Sequence, residues 1–445
     1  MIGRIAGTLL CCMAALAGAS TAALAQADRN RSSVDFSSAA ERVYVSTRPK
    51  LVQIRTLLGS TGQQVTLGSG FLVNGSGFAV TNYHVVSRYA LEPQTYRLQY
   101  AAFDGSHGDL TILGLDLADD LAVVKLDRSD ASFLSFDERP LGEITKGERI
   151  FAMGNPLDIG FAIVEGTFNG LVEHSYTDRI HFSGALNPGM SGGPAVTGDG
   201  HVVGINVASR LGGELVSFLV PAQYAVELLD RATQGQPPAP ADLRGEIGRQ
   251  LTKWVAGLYA ALDKSGFHSA ALGPYAAPRI DAPWFTCWAQ TNSGQIPKPR
   301  ATIDATNCSS DARLFVSDDL STGNITLSQS LVRSVDLNAF QFASFLSQQV
   351  QPPWIGPLSR KWHTQRRCRE DLTHAVASDL GPPIDVVWCA RAYRQFDDLY
   401  DVTVMGVTQD RANLALVSRL SMQGVTYESA IVLTKRLFEA LQWTK

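Results

Sequence analysis

Between residues 40 and 228, short apolar-rich runs are separated by Gly, Pro, Asn and Asp. That is the pattern of short strands joined by turns. It predicts strands at Val43–Val45, Leu51–Leu57, Val65–Val73, Phe78–Asn82 and Leu121–Leu126. A second set is predicted at Arg149–Met153, Phe161–Leu171, Ile180–Phe182, Ala195–Val196, His201–Val207 and Leu215–Val220. Many short strands with regular turns point to a β-sandwich or barrel. The two sets divide near Pro140. Residues 233–242, Thr-Gln-Gly-Gln-Pro-Pro-Ala-Pro-Ala-Asp, then read as a Pro-rich linker.

Beyond the linker the period changes. Leu243, Ile247, Leu251, Val255, Leu258 and Leu262 form one helical stripe, with Asp242 placed to cap it and Gly266 to end it. A second helix is predicted over Leu337–Val350 and a last one over Tyr427–Trp443. Strands are predicted at Val386–Arg394, Tyr400–Thr408 and Asn413–Ser421. This mixture predicts a separate α+β domain.

Composition narrows the class. At 445 residues the chain is too long for a single core. A net charge of −4 without a Lys/Arg cluster argues against a nucleic-acid partner. Arg4, the apolar run Ile5–Gly18 and Ala23-Leu24-Ala25 read as a signal peptide cleaved after Ala25. The apolar run is shorter than the roughly 20 residues of a spanning helix, so no stable membrane span is expected after cleavage. Cys11 and Cys12 leave with that segment; Cys287, Cys308, Cys368 and Cys389 remain. An even number in an exported chain implies disulfides. Cys287–Cys308 with Cys368–Cys389 is preferred, because nearer pairs close smaller loops. A zinc site is disfavoured by the lack of Cys-x-x-Cys spacing. All seven tryptophans and all four remaining cysteines lie after the linker, which predicts that the two halves are stabilised differently.

The chemistry concentrates in Gly189-Met190-Ser191-Gly192-Gly193-Pro194, with His84 and Asp120 upstream. A serine hydroxyl becomes a nucleophile when a histidine takes its proton and a carboxylate orients that histidine. It also needs donors aimed at the developing oxyanion, here the backbone N–H groups of Gly189 and Ser191. Asp116 and Asp119 are rival carboxylates; Asp119 is read as solvated. His174 and His181 are read as surface residues. His107, His201, His268, His363 and His374 have no evident partners in the sequence. No metal or cofactor is expected.

The chain resembles the chymotrypsin-fold serine proteases, and among them the HtrA-type bacterial envelope proteases. The matching pieces are Gly68-Ser69-Gly70-Phe71-Leu72-Val73, Thr81-Asn82-Tyr83-His84-Val85-Val86 and Asp120-Leu121-Ala122-Val123-Val124-Lys125. Ala152-Met153-Gly154-Asn155-Pro156, Asn187-Pro188-Gly189-Met190-Ser191-Gly192-Gly193-Pro194, Gly204-Ile205-Asn206 and Phe218-Leu219-Val220-Pro221 continue the match in the family's order. The resemblance favours Asp120 over its neighbours. It implies a mainly β protease domain of two six-stranded antiparallel barrels, followed here by an α+β domain. His84 and Asp120 would come from the first barrel and Ser191 from the second. The expected organisation is a signal peptide over 1–25, a tail over 26–39, a protease domain over 40–232, a linker over 233–242 and a disulfide-containing accessory domain over 243–445.

Two departures matter. Met190 stands where the family usually has Asn or Asp, and the region after the linker does not look like a PDZ domain. The substrate pocket would be walled by Ala185, Val207, Ala208 and Ser209, none of them a carboxylate. The expectation is an exported, periplasmic endopeptidase acting on polypeptides after small or medium apolar residues. The alternative from another class is a silent pseudoprotease that binds proteins.

Overall fold

The protein is described by a computed structural model over residues 38–129, 132–207, 216–349, 359–374 and 381–444. The signal-peptide segment and most of the expected tail lie outside the described residues, as do Ala208 and Ser209.

Residues 38–47 form helix α1, where Val43–Val45 had been expected as a strand. The helix wins because Ala40, Val43, Tyr44 and Thr47 fall on one face at helical spacing, with Val43 and Thr47 buried. The first barrel follows as β1 (Leu51–Leu58), β2 (Gln64–Leu72), β3 (Phe78–Thr81), helix α2 (Tyr83–Leu91), β4 (Tyr96–Ala102), β5 (His107–Asp116) and β6 (Leu121–Leu126). The second barrel is β7 (Arg149–Gly154), β8 (Ala162–Leu171), β9 (Ile180–Phe182), β10 (Pro194–Val196), β11 (Val202–Val207) and β12 (Ser217–Pro221).

Both barrels are closed, in the orders β1-β2-β3-β6-β5-β4 and β10-β11-β12-β9-β8-β7. Numbered within each barrel, these are the same ring of strands. The sequence shows no corresponding repeat, so the likeness lives in topology. Helix α3 (Ala222–Gln234) follows and was not expected. Its buried Ala222, Ala225, Leu228 and Ala232 join a core cluster holding Leu113 and Leu121 of the first barrel and Val202 and Val220 of the second. Burial of this shared apolar surface holds the barrels together.

The Pro-rich stretch is short in the structure. Helix α3 runs to Gln234, and a 3-10 turn at Pro240–Asp242 leads into α4 (Leu243–Ser265). Asp242 occupies the N-cap position but makes no side-chain cap hydrogen bond. After α4 come β13 (His268–Leu272), β14 (Tyr275–Arg279), β15 (Phe285–Thr291), β16 (Ala301–Ser310), β17 (Leu314–Ser317), β18 (Leu320–Thr322) and β19 (Ile325–Ser334). The chain continues as α5 (Ala339–Gln349), β20 (Arg367–His374), β21 (Pro383–Ala392), β22 (Tyr400–Thr408), β23 (Leu414–Val425), α6 (Tyr427–Glu439) and β24 (Gln442–Trp443). The last helix is shorter than expected, because Gln442 and Trp443 leave it to pair with β14.

A seven-stranded sheet, ordered β15-β16-β19-β23-β22-β21-β20, dominates this region. Disulfides Cys287–Cys308 and Cys368–Cys389 join β15 to β16 and β20 to β21. Each therefore ties an edge strand to its inner neighbour. Every residue of β20 is exposed, so it shows none of the alternation by which strands are read from sequence.

The apolar stripe of α4 is buried in a cluster that runs without interruption from Val52, Ile54 and Leu98 of the first barrel to Leu327, Leu420 and Leu433 after the linker. Arg244 Nη2 donates to the Leu91 carbonyl at 2.5 Å, and the Gln250 side chain bonds both Leu115 and Leu117. Although the tryptophans and disulfides are segregated along the chain, the packed core is continuous.

Candidate active site

Strand β3 ends at Thr81, and His84 is the second residue of the helix that follows, α2. Asp120 lies in the turn between β5 and β6 with φ +58°, a left-handed conformation uncommon for a residue with a side chain. That conformation is held at both ends. The Asp120 carbonyl accepts from Asn82 Nδ2 at 2.8 Å and from the Tyr83 N–H at 3.1 Å. Its carboxylate meets His84 twice: Oδ1 accepts from the His84 backbone N–H at 2.9 Å, and Oδ2 lies 2.7 Å from Nδ1. A carboxylate only accepts, so Nδ1 carries the proton and Nε2 is left with its lone pair.

Burial of the ring opposes its charged form. The charge and hydrogen bond of Asp120, with Asp318 adding to them, outweigh burial and raise the His84 pKa above its ordinary value.

Ser191 precedes β10 and is almost wholly buried. Its carbonyl accepts from the Ser69 N–H at 2.8 Å, which clips the serine loop to β2. Gly192 has φ +83°, and a Cβ there would overlap the Ser69 carbonyl and the Thr81 hydroxyl. The loop is thus pressed against the strands that lead to His84. Gly189 has φ +96°, and a Cβ there would strike the Asn155 carbonyl, so only glycine serves.

The sequence motifs contained three polar residues whose role was not read from them. Buried Ser69 donates its hydroxyl to the Gly189 carbonyl at 2.7 Å and accepts from the Asn155 N–H at 2.9 Å. Asn206 Nδ2 donates to the Met153 carbonyl at 2.8 Å and to the Met190 carbonyl at 3.3 Å. Ser69, Asn155 and Asn206 therefore set the shape of the loop around Ser191. Their signal was present in the matching pieces, where small polar residues stand among apolar ones. Met190 is fully buried, and its backbone N–H still bonds the Asn187 carbonyl at 3.0 Å.

The rival carboxylates have other partners. Asp116 pairs with Arg231 of α3 at 2.8 Å. Asp119 is not solvated as expected: it sits 3.5 Å from Arg179, half-buried, because the second barrel closes over it. Burial, with the charge of Asp116, pushes its pKa up to about 6 despite Arg179. His174 is exposed and bonds the Pro283 carbonyl at 3.0 Å; His181 lies half-buried on β9. His363, left without a partner by the sequence, is buried 3.4 Å from Asp401. Among the described residues no group of His, Cys, Asp and Glu is placed to hold a metal ion.

Of the expected pocket residues, Ala185 is exposed and Val207 is half-buried on β11 opposite Phe218. The Leu186 N–H donates to Ser217 Oγ at 3.1 Å, tying the segment before the serine loop to β12. One aromatic residue near the site was pointed to by nothing in the sequence. Phe315, far beyond the linker, places its ring 6.0 Å from that of His84 at 74°.

Residues 68–205 match the family model of the trypsin-like peptidase domain. A protein of Chlamydia pneumoniae named "Probable periplasmic serine endoprotease DegP-like" is 33% identical over 177 residues, which cover 38% of this chain and 35% of that protein. One of the same name from Brucella suis biovar 1 is 30% identical over 226 residues, covering 49% of this chain and 42% of the other. The solved serine endoprotease from Yersinia pestis is 23% identical, with a TM-score of 0.38, over 44% of this chain and 66% of that one. The chain thus spans 35% and 42% of the length of the two named relatives. No helix among the described residues is long and apolar enough to cross a membrane.

Proposed function

We propose that this chain, an HtrA-type protein whose residues 68–205 are a trypsin-like peptidase domain, is an exported serine endopeptidase using His84, Asp120 and Ser191. The observation that carries the reading is the two-point hold of Asp120 on His84, beside a serine loop braced by Ser69.

In this reading His84 Nε2 takes the Ser191 hydroxyl proton as Oγ attacks the scissile carbonyl carbon. The carbonyl electron pair moves to oxygen, where the N–H groups of Gly189 and Ser191 stabilise it. The C–N bond then breaks, His84 gives its proton to the leaving amine, and an acyl-enzyme remains. Water, deprotonated by the same ring, adds to the acyl carbonyl; the bond to Ser191 Oγ breaks, His84 returns its proton to Oγ, and the acid leaves. Asp120 stabilises the imidazolium in both halves. The chemistry needs no metal or cofactor.

The pocket residues Ala185 and Val207 are small and apolar, which supports cleavage after small or medium apolar residues. The signal-peptide pattern and the names of the relatives support a periplasmic location, with envelope protein processing or quality control as the role. In this reading the protease domain is 40–232 and the accessory α+β domain 243–445.

The test is labelling of the mature protein with a fluorophosphonate, beside Ser191→Ala and His84→Ala. Labelling that needs both residues is expected. Absence of labelling in folded wild type would overturn the reading in favour of a silent binding scaffold. A peptide library cleaved mainly after Lys or Arg would overturn the pocket assignment.

A further inference from the structure

The region beyond the linker reaches the catalytic face through one hairpin. Strands β17 and β18 pair antiparallel around a turn at Asp318-Asp319. Leu314, Val316 and Leu320 are buried in the core shared with α4. Phe315, of opposite parity on the strand, faces the first barrel. Its ring meets His84 edge-on at 6.0 Å and Tyr83 at 6.2 Å. Beside it, the Tyr83 hydroxyl donates to the Val316 carbonyl at 2.8 Å, wholly buried. At the turn, Asp318 Oδ2 accepts from Arg88 Nε at 2.7 Å and Nη2 at 2.6 Å. The hairpin therefore grips α2 at its first turn and again one turn later.

We propose that this hairpin is a working part of the active site, with Phe315 acting as a positioning residue that holds the His84 ring toward Ser191. The inference rests on the protease reading above and gives the C-terminal region a role in it. Asp120 fixes Nδ1 but leaves the ring able to swing about that hydrogen bond. An aromatic wall limits the swing, and catalysis is sensitive to such displacements. Neither the serine loop nor the β5–β6 turn supplies an aromatic residue in contact with His84 among the ring contacts of the described residues.

The hairpin also contributes charge. Asp120 from the β5–β6 turn and Asp318 from the hairpin both act on the His84 ring, and Arg88, on the same helix as His84, pairs with Asp318. Asp318 works with Asp120 to favour the protonated ring. Removing its charge therefore lowers the His84 pKa.

The experiment uses the full mature chain as wild type, Phe315→Ala, Phe315→Leu and Asp318→Asn, with a chromogenic apolar peptide. Phe315→Ala should lower kcat about two- to tenfold, the range an aromatic contact is worth, with KM unchanged. Phe315→Leu keeps the buried apolar bulk and should recover part of the loss. It also carries the test if the alanine variant does not fold. Asp318→Asn should move the acid limb of the kcat profile to lower pH. A change in KM alone, or wild-type kcat in both Phe315 variants, would overturn the positioning role. To separate this from failure of the protease reading, the His84 ring is titrated by NMR in Ser191→Ala with and without Asp318→Asn. A lower midpoint in the double variant supports the hairpin even if no turnover is found; an unmoved midpoint removes its electrostatic part.

Discussion

Ser69→Ala isolates how far the serine loop depends on a single buried hydroxyl. Ser69 is fully buried, and its Oγ bridges the Gly189 carbonyl at 2.7 Å and the Asn155 N–H at 2.9 Å. Alanine removes both bonds and supplies no replacement. Leaving a buried backbone group unpaired costs roughly 1–3 kcal/mol, so the two together cost about 2–4 kcal/mol after partial relaxation. The loop can relieve part of this only by turning the Gly189 peptide. That peptide carries the Met190 N–H and lies between the Gly189 and Ser191 N–H groups assigned to the oxyanion, so turning it displaces them, and loss of one such donor costs about 10²–10³ in kcat in other enzymes. If about half of the penalty appears in the transition state, kcat falls roughly 5- to 30-fold, at about 1.4 kcal/mol per tenfold. KM should stay within a factor of about two, because the bonds lie behind the loop and not in the pocket. The assay is steady-state hydrolysis with the fluorophosphonate labelling rate, and thermal unfolding measured in parallel. A lower melting temperature with wild-type kcat would refute the reasoning: Ser69 would then support the barrel and not the oxyanion site.

Three further outcomes follow. Asp120→Asn presents an amide where Nδ1–H needs an acceptor, so kcat/KM should fall by about 10⁴; a loss under tenfold would place the orienting carboxylate elsewhere. The raised His84 pKa puts the acid limb of kcat/KM above the ordinary histidine midpoint of about 6.5, since only the neutral ring takes the serine proton. The sign for stability is opposite: the His84–Asp120 contribution is full below the unfolded-state pKa and fades as pH rises through the folded one, which thermal melts across that range would show. Each disulfide closes a loop with a sequence separation of 21, worth about 3 kcal/mol of unfolded-state entropy. Reduction should therefore lower the melting temperature and shift tryptophan emission. Because the α4 core is shared with the first barrel, peptidase activity should fall with the emission shift. Activity that persists through the shift would show the two regions to be separable.

Much of the barrel region was legible because strands such as Leu51–Leu58, Leu121–Leu126 and Val202–Val207 are short apolar runs, buried nearly throughout and bounded by turn residues. The helices α2 and α3 were harder to read. Helix α2 starts at Tyr83, directly after a strand-like run, and α3 is stapled to both barrels by small alanines, which give little apolar contrast. Val43–Val45 misled for a related reason: three residues cannot distinguish period 2 from period 3.6, and the longer face from Ala40 to Thr47 decided the matter. In the C-terminal region the edge strands β15 and β20 are almost wholly exposed, so the alternation that marks a strand is absent from them.

Local sequence patterns were enough to nominate the residues proposed for the chemistry. A serine among glycines, a histidine after a strand and an aspartate before an apolar run are local patterns, and their order along the chain already pointed to one family. How these residues are held is a property of the long-range packing. The bridge from Ser69 to Gly189 spans 120 residues and the contact of Phe315 with His84 spans more than 200, and no local pattern encodes a partner at that distance. The same holds for the continuous core across the Pro-rich stretch. Apolar stripes on α4 and on the barrel each declare that they must be buried, but not against what. That choice is made by the shape complementarity of the folded surfaces.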